Sequence, residues 1–273
     1  MQKNTQQRVE QAFTRKKFCT LALVLTGLTS SSAMAHIIPT NFGNFDGLTV
    51  VDPINKNKGV SGNYGWIDGT DADWSDSHKT TWYSFTLTGT ADVTLTFKER
   101  VNANGGLGLI PGFTLYEGIP HKSPDGLDHD YSPGSILIRE ADCAATPGCT
   151  TTEGSFRSLT TFRITNDDDP DGTSPIVFNY IGHAYDGSVD YGTGIIPGGD
   201  GVADKSVTKT FTNLAAGSYL AFVGGSNYAS QNAGGSYGVY GTFSLTPSQV
   251  PVPAAVWLFG SVVAGYLGMR RKV

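Results

Sequence analysis

The sequence predicts an all-β fold, an antiparallel sandwich of about nine to eleven strands, flanked by an N-terminal signal helix and a short C-terminal transmembrane helix. Three observations point there. Tyr83, Phe85 and Leu87 alternate with Ser84, Thr86 and Thr88, and Val93, Leu95 and Phe97 alternate with Asp92, Thr94, Thr96 and Lys98, the period of two that a half-buried strand imposes. Short apolar runs recur between Gly, Asn, Asp and Pro, and no long stretch places apolar residues at helical spacing. The 273 residues include 35 glycines, which suit turns and arches better than helices.

Taken in order, the chain opens with an export signal. Arg15, Lys16 and Lys17 form a positive region, Phe18 to Leu28 an apolar one, and Ala33-Met34-Ala35 the small-x-small pattern at which a leader is cut. Residues 1–35 are therefore excluded from the fold, and the mature chain is expected to begin at His36. Residues 36–249 form one β domain holding 11 Lys and Arg against 23 Asp and Glu, a balance of −12. Such a charge disfavours nucleic acid and anionic lipid and favours divalent cations. Cys19 leaves with the leader, and Cys143 and Cys149 remain as a pair. In an exported protein a disulfide closing that small loop is the expected state. It contributes a few kcal/mol at most.

Within the domain, Leu48–Val51 reads as a weak first strand and Asp52 to Asn57 as a turn. Residues 62–76 form an acidic loop bearing Tyr64, Trp66 and Trp74. The two alternating segments, Trp82–Thr88 and Asp92–Lys98, read as a hairpin turning at Gly89-Thr90-Ala91. Phe113–Tyr116 is the next strand, and residues 119–135 form a loop. A short strand is expected at Ile136–Ile138, and a bulged strand or two short ones in Ser155–Thr165. Ile176–Ile181 has the apolar run of a buried strand. Residues 182–206 read as loop. Val207 onward forms a closing hairpin that turns at Ala216-Gly217 into Tyr219–Val223, and Tyr237–Thr246 is the last strand.

The order of an acidic loop, Trp-Tyr-Ser-Phe-Thr-Leu-Thr, a turn, Asp-Val-Thr-Leu-Thr-Phe and then Phe-Thr-Leu-Tyr-Glu-Gly, within residues 62–118, resembles the bacterial pre-peptidase C-terminal β-sandwich. That likeness implies a jelly-roll sandwich of the kind appended to secreted and surface proteins, and no activity.

Residues 250–273 follow the domain. Pro251 and Pro253 forbid regular structure, Ala254 to Met269 carry no charge, and Arg270, Arg271 and Lys272 arrive together. Sixteen uncharged residues fall short of the roughly 20 a permanent span uses, which suits a transient tether; an ordinary C-terminal anchor helix is the alternative. Val-Pro-Val-Pro-Ala-Ala, an apolar segment starting at Trp257 and a terminal Arg-Arg-Lys resemble the PEP-CTERM sorting signal of Gram-negative bacteria. The resemblance implies that the membrane protease-transpeptidase exosortase processes the chain near Pro251, Pro253, Ala254 and Ala255. It further implies an inner-membrane-tethered precursor and a final place at the cell surface or in an exopolysaccharide matrix.

Several constellations carry possible chemistry. Asp167, Asp169 and Asp171 before Gly172 begin as calcium loops of the EF-hand type do, and Ca2+ is the expected ligand of such a run. Position twelve is Phe178 rather than Glu, and Pro170 interrupts the run, so missing ligands would come from Asp68/Asp71/Asp73/Asp76, Asp125/Asp128/Asp130 or Asp186/Asp190. A solvated acidic turn is the alternative. His121, His129 and His183 lie in predicted loops without metal-site spacing. Gly234-Gly-Ser-Tyr-Gly238 matches the nucleophile-elbow pattern, yet a strand follows where a hydrolase has a helix. No pair of carboxylates stands out for glycoside hydrolysis. Tyr64, Trp66, Trp74 and Trp82 sit among acids as sugar-stacking rings do, with core packing the alternative for Trp82. The sequence thus reads as an exported, non-enzymatic surface or matrix protein, with a calcium-dependent carbohydrate-binding module and a secreted hydrolase as alternatives.

Overall fold

The structure, a computed structural model, describes residues 39–61, 74–76, 80–101, 107–119, 137, 140–141, 144, 155–164, 176–187, 197–226 and 236–248. Twelve strands lie among them: β1 (Thr40–Phe45), β2 (Val51–Ser61), β3 (Trp74–Asp76), β4 (Thr81–Leu87), β5 (Ala91–Arg100), β6 (Pro111–Glu117), β7 (Ser155–Arg157), β8 (Phe162–Ile164), β9 (Ile176–Tyr185), β10 (Ser206–Leu214), β11 (Gly217–Gly225) and β12 (Ser236–Pro247). One sheet has the order β1-β4-β11-β6-β9-β8, the second β10-β5-β12-β2, and β3 pairs with β7 in a small third sheet. Every pairing is antiparallel except β1 with β4 at an edge of the larger sheet.

The two large sheets pack face to face through aromatic rings. Tyr83 and Phe85 of β4 meet Phe97 of β5 at 5.2 Å and Phe243 of β12 at 5.0 Å, and Phe113 of β6 meets Phe97 at 4.8 Å. Phe42 and Phe45 of β1 stack on Phe243 at 5.5 and 4.6 Å. Val93, Leu95, Val207, Val239 and Leu245 fill the remaining space with no exposed surface to speak of. This interior is the main source of stability, at about 25 cal/mol for each Å² of apolar surface withdrawn from water.

The alternation that identifies β5 holds and β4 is a strand buried on both faces, but the expected hairpin does not form. β4 pairs with β11 and β1 in one sheet, whereas β5 pairs with β10 and β12 in the other. Residues 88–90 therefore arch across the sandwich. The expected closing hairpin is likewise an arch, from β10 in the smaller sheet to β11 in the larger. The two arches stack, since Leu87 lies opposite Gly217 and Ala91 opposite Leu214. Tyr219 clamps the second by donating its hydroxyl to the Ala215 carbonyl at 2.8 Å.

Backbone crowding explains the first arch. The chain leaving β1 crosses it, with Thr88 N–H donating to the Phe45 carbonyl at 2.8 Å. A Cβ on Gly89 would stand 2.3 Å from the Asp46 carbonyl oxygen, and one on Gly47, at φ +75°, 2.8 Å from the Gly89 oxygen. Only glycines permit this approach.

Other expectations change at the edges. Leu48 is 77% exposed in a bend, and the strand begins at Val51, running through Pro53 where a turn was expected. β2 is the edge of its sheet, where a residue lacking N–H is tolerated. Residues 155–164 resolve into two short strands, one of the two expected forms. Leu137, in the middle of the expected strand Ile136–Ile138, is helical, as are Glu140 and Ala141, and Ala144 N–H donates to the Glu140 carbonyl four residues back.

The sheets differ in their outward faces. At the centre of the larger sheet, in β4, β6 and β11, both faces are buried: behind the sandwich interior, Trp82, Tyr116, Phe178 and Phe222 form a second aromatic layer, with Trp82 edge-on to Phe222 at 4.7 Å and Tyr116 to Phe222 at 5.2 Å. Thr114 of that layer donates its hydroxyl to the Ser158 carbonyl at 2.6 Å. The outward face of the smaller sheet is open to solvent.

Candidate functional site

Two places gather polar side chains among the described residues. The first is the end of β9 and the segment 197–206. β9 runs to Tyr185, so His183 stands on a strand, not in the loop expected from residue 182. Its Nε2 lies 2.6 Å from the Pro197 carbonyl oxygen and its Nδ1 2.5 Å from the Tyr180 hydroxyl. A carbonyl only accepts, so Nε2 carries the proton and Nδ1 accepts from Tyr180 in the neutral ring. Gly198, at φ +143°, makes this contact possible, since a Cβ there would stand 2.5 Å from Nε2. Lys209 donates to the His183 carbonyl at 2.8 Å and lies 5.6 Å from the centre of the Phe211 ring. Loss of water around its amine lowers the Lys209 pKa.

Asp186 is buried beside this latch. Its two oxygens accept the N–H groups of Asp204 at 2.9 Å and Lys205 at 3.1 Å. Desolvation pushes its pKa up, helped by the nearby charges of Asp200 and Asp204 and opposed by the two N–H bonds. Asp200 accepts from Gly187 at 3.3 Å and Val202 at 3.1 Å, and Asp204 from Ser206 at 3.1 Å. Three carboxylates thus meet here, each engaged in bracing the turn with backbone donors. Among the described residues no group of three or more His, Cys, Asp or Glu is placed to hold a metal ion.

The second place is the open face of the smaller sheet. Its register sets outward side chains in rows across the strands: Thr210, Thr94 and Ser244; then Thr208, Thr96, Thr242 and Asn55; then Ser206, Lys98, Tyr240 and Asn57. Hydroxyls bond along these rows, Thr94 with Thr210 and Thr96 with Thr208 at 2.8 Å each. Thr242 donates to the Asn55 side-chain oxygen, also at 2.8 Å. Tyr240 projects from the central strand β12 with 36% of its surface exposed. Arg100 lies flat over Gly238, where a Cβ would touch its side chain at 2.8 Å.

The residues expected to carry function fall unevenly. Trp82 is 1% exposed and donates its indole N–H to Thr80 Oγ1 at 3.1 Å, so it packs the second aromatic layer and offers no face to a sugar. Ser236 opens β12 opposite Ser61, so the Gly-x-Ser-x-Gly match lies at the start of a strand and not at a strand-to-helix elbow. Ala33, Ala35, Cys143, Cys149, Asp167, Asp169, Asp171, Pro251, Pro253, Ala254, Ala255, Arg270, Arg271 and Lys272 lie outside the described residues, as do Tyr64, Trp66, His121 and His129. Among the described residues no helix is long and apolar enough to cross a membrane.

Neither a protein-family model nor a curated protein matches the chain. Solved structures do. CorA of Methylomicrobium album BG8, a surface-associated copper-binding protein, aligns over 77% of this chain and 100% of its own at 18% identity and a TM-score of 0.45. The secreted copper-binding protein MopE of Methylococcus capsulatus aligns over 79% of this chain and 96% of its own at 15% identity and a TM-score of 0.39. PliG of Aeromonas hydrophila, a periplasmic inhibitor of g-type lysozyme, aligns over 76% and 100% at 13% identity and a TM-score of 0.26. At these identities and scores nothing about their ligands transfers to this chain.

Proposed function

We propose that the chain is an exported, non-enzymatic β-sandwich protein of the bacterial surface or extracellular matrix, sorted through a PEP-CTERM tail. The observation that carries this reading is the order of parts in residues 250–273: Pro251 and Pro253 with Ala254 and Ala255, an uncharged segment, then Arg270, Arg271 and Lys272. The position of the tail supports it. β12 ends at Pro247 opposite Ala91, and the packed interior is built from residues between Phe42 and Leu245. Removing the tail therefore leaves that interior whole. Ala33 and Ala35 mark the leader's cleavage site and free His36 as the new N-terminus.

In this reading the apolar segment holds the precursor in the inner membrane, the three cations stop it on the cytoplasmic side, and exosortase cuts near the Pro-Ala junction. The chain is then a substrate and does no chemistry itself. Cell fractionation of a variant lacking residues 250–273 tests this. The shortened protein is expected outside the inner membrane, never passing through the tethered form that a pulse label reveals for the full chain. A full chain that never associates with the membrane contradicts the proposal.

A further inference from the structure

The open face of the smaller sheet has chemistry that the sorting tail does not explain. By register, β5 turns two of the domain's 11 cations, Lys98 and Arg100, to this face, and the one carboxylate of that strand on the same side is Asp92 at its far rim. The rows from Thr94 to Lys98 contain no carboxylate at all. A face of hydroxyls, amides and cations on so acidic a domain is complementary to an anionic partner that the rest of the surface repels.

The shape of the face narrows the partner. Tyr240 stands exposed on a central strand, with Lys98 beside it on β5, Asn57 beside it on β2, and Thr242 and Asn55 in the next row. A flat ring flanked by hydroxyl and amide groups suits the apolar face and the hydroxyl rim of a sugar. Because Thr242 donates to the Asn55 oxygen, the Asn55 side-chain NH2 is left to donate outward. Rows repeat about every 7 Å along a strand, so the face continues past one sugar and fits an extended chain better than a single residue.

We infer that this face binds an acidic polysaccharide, with Tyr240 stacking on a sugar ring and Lys98 and Arg100 meeting its carboxylates. The inference names a ligand for the exported protein proposed above, and rests on that reading only for where the two meet. The face and its test do not involve the tail.

The test uses the full chain purified in mild detergent and biolayer interferometry against immobilised polygalacturonate, with immobilised dextran as the neutral control. Binding to polygalacturonate alone is expected, weakening as salt rises. Tyr240→Ala and Lys98→Gln are each expected to weaken it about ten-fold. Both side chains point to solvent, so thermal melts of the variants are expected to match the parent and separate lost binding from lost fold. No binding to polygalacturonate, equal binding to dextran, or full binding by both variants would each overturn the inference. A chain that binds yet keeps its tail in cells leaves this inference standing and contradicts the sorting proposal; a chain that is processed and does not bind does the reverse.

Discussion

Tyr83 carries its hydroxyl into the space between the sheets, where it finds no hydrogen-bond partner among the described residues, and burial pushes its pKa far up. Its ring is needed, stacked on Phe42 at 5.3 Å and lying against Gly241, but the oxygen costs stability. Tyr83→Phe is therefore expected to stabilise the fold by about 1 kcal/mol, read as a higher urea midpoint at unchanged slope. Asp92 does the opposite at the rim. It accepts the Asn213 N–H at 2.8 Å and the Ser248 hydroxyl at 2.7 Å, and these bonds lower its pKa below the ordinary 3.8. A carboxyl with a lowered folded pKa adds stability that is fully present above its unfolded pKa and is lost as pH falls through the folded one. Asp92→Asn is thus expected to lower the denaturation midpoint near pH 7, with the difference from the parent vanishing as pH falls through the carboxyl's folded pKa. A difference that persists in acid would show that packing, not charge, does the work.

At the scale of elements, period two was legible and pairing was not. Val93, Leu95 and Phe97 are buried and Thr94, Thr96 and Lys98 face out, as alternation requires. Alternation says which face of a strand is apolar; it is silent on which neighbour accepts its hydrogen bonds, so an arch and a hairpin leave the same pattern. The decisive contact, Asp46 and Gly47 against Gly89, joins residues more than forty apart. A hairpin turn would leave Gly89 replaceable, whereas the arch does not. Gly89→Ala is expected to cost about 2 kcal/mol or more, because the new methyl meets a carbonyl oxygen held by two strands; a loss below about 0.5 kcal/mol, the range of an ordinary surface change, would contradict the crossing. The same limit explains Ser84, which alternation places outward and the structure buries because the larger sheet is covered on both sides. Trp82 misleads for that reason too: its acidic neighbours in sequence suggest a ligand, while the layer formed by Phe222 and Tyr116 becomes visible only once distant strands are placed side by side. Tyr240, by contrast, can be read from the Val239–Leu245 alternation as an outward position. What the sequence does not announce is the row of Lys98 and Asn57 that forms around it.

For the whole molecule, the sequence places a β domain of charge −12 between a basic, then apolar N-terminal segment and an apolar C-terminal segment ending in cations. In the proposed reading, charge on that scale keeps the body in solution and away from anionic headgroups, while each end makes brief contact with a membrane. The sheets add an asymmetry that composition conceals: one is buried on both sides along its central strands, and the other turns an open, carboxylate-poor face to its surroundings. Under the proposed function, export and tail processing together define the mature protein, so its mass in cells bears on both at once. Intact-mass spectrometry of the protein recovered from the envelope and medium is expected to give a chain that begins at His36 and lacks Arg270, Arg271 and Lys272. Recovery of the uncut 273-residue chain from the cytosol would contradict the account at both ends.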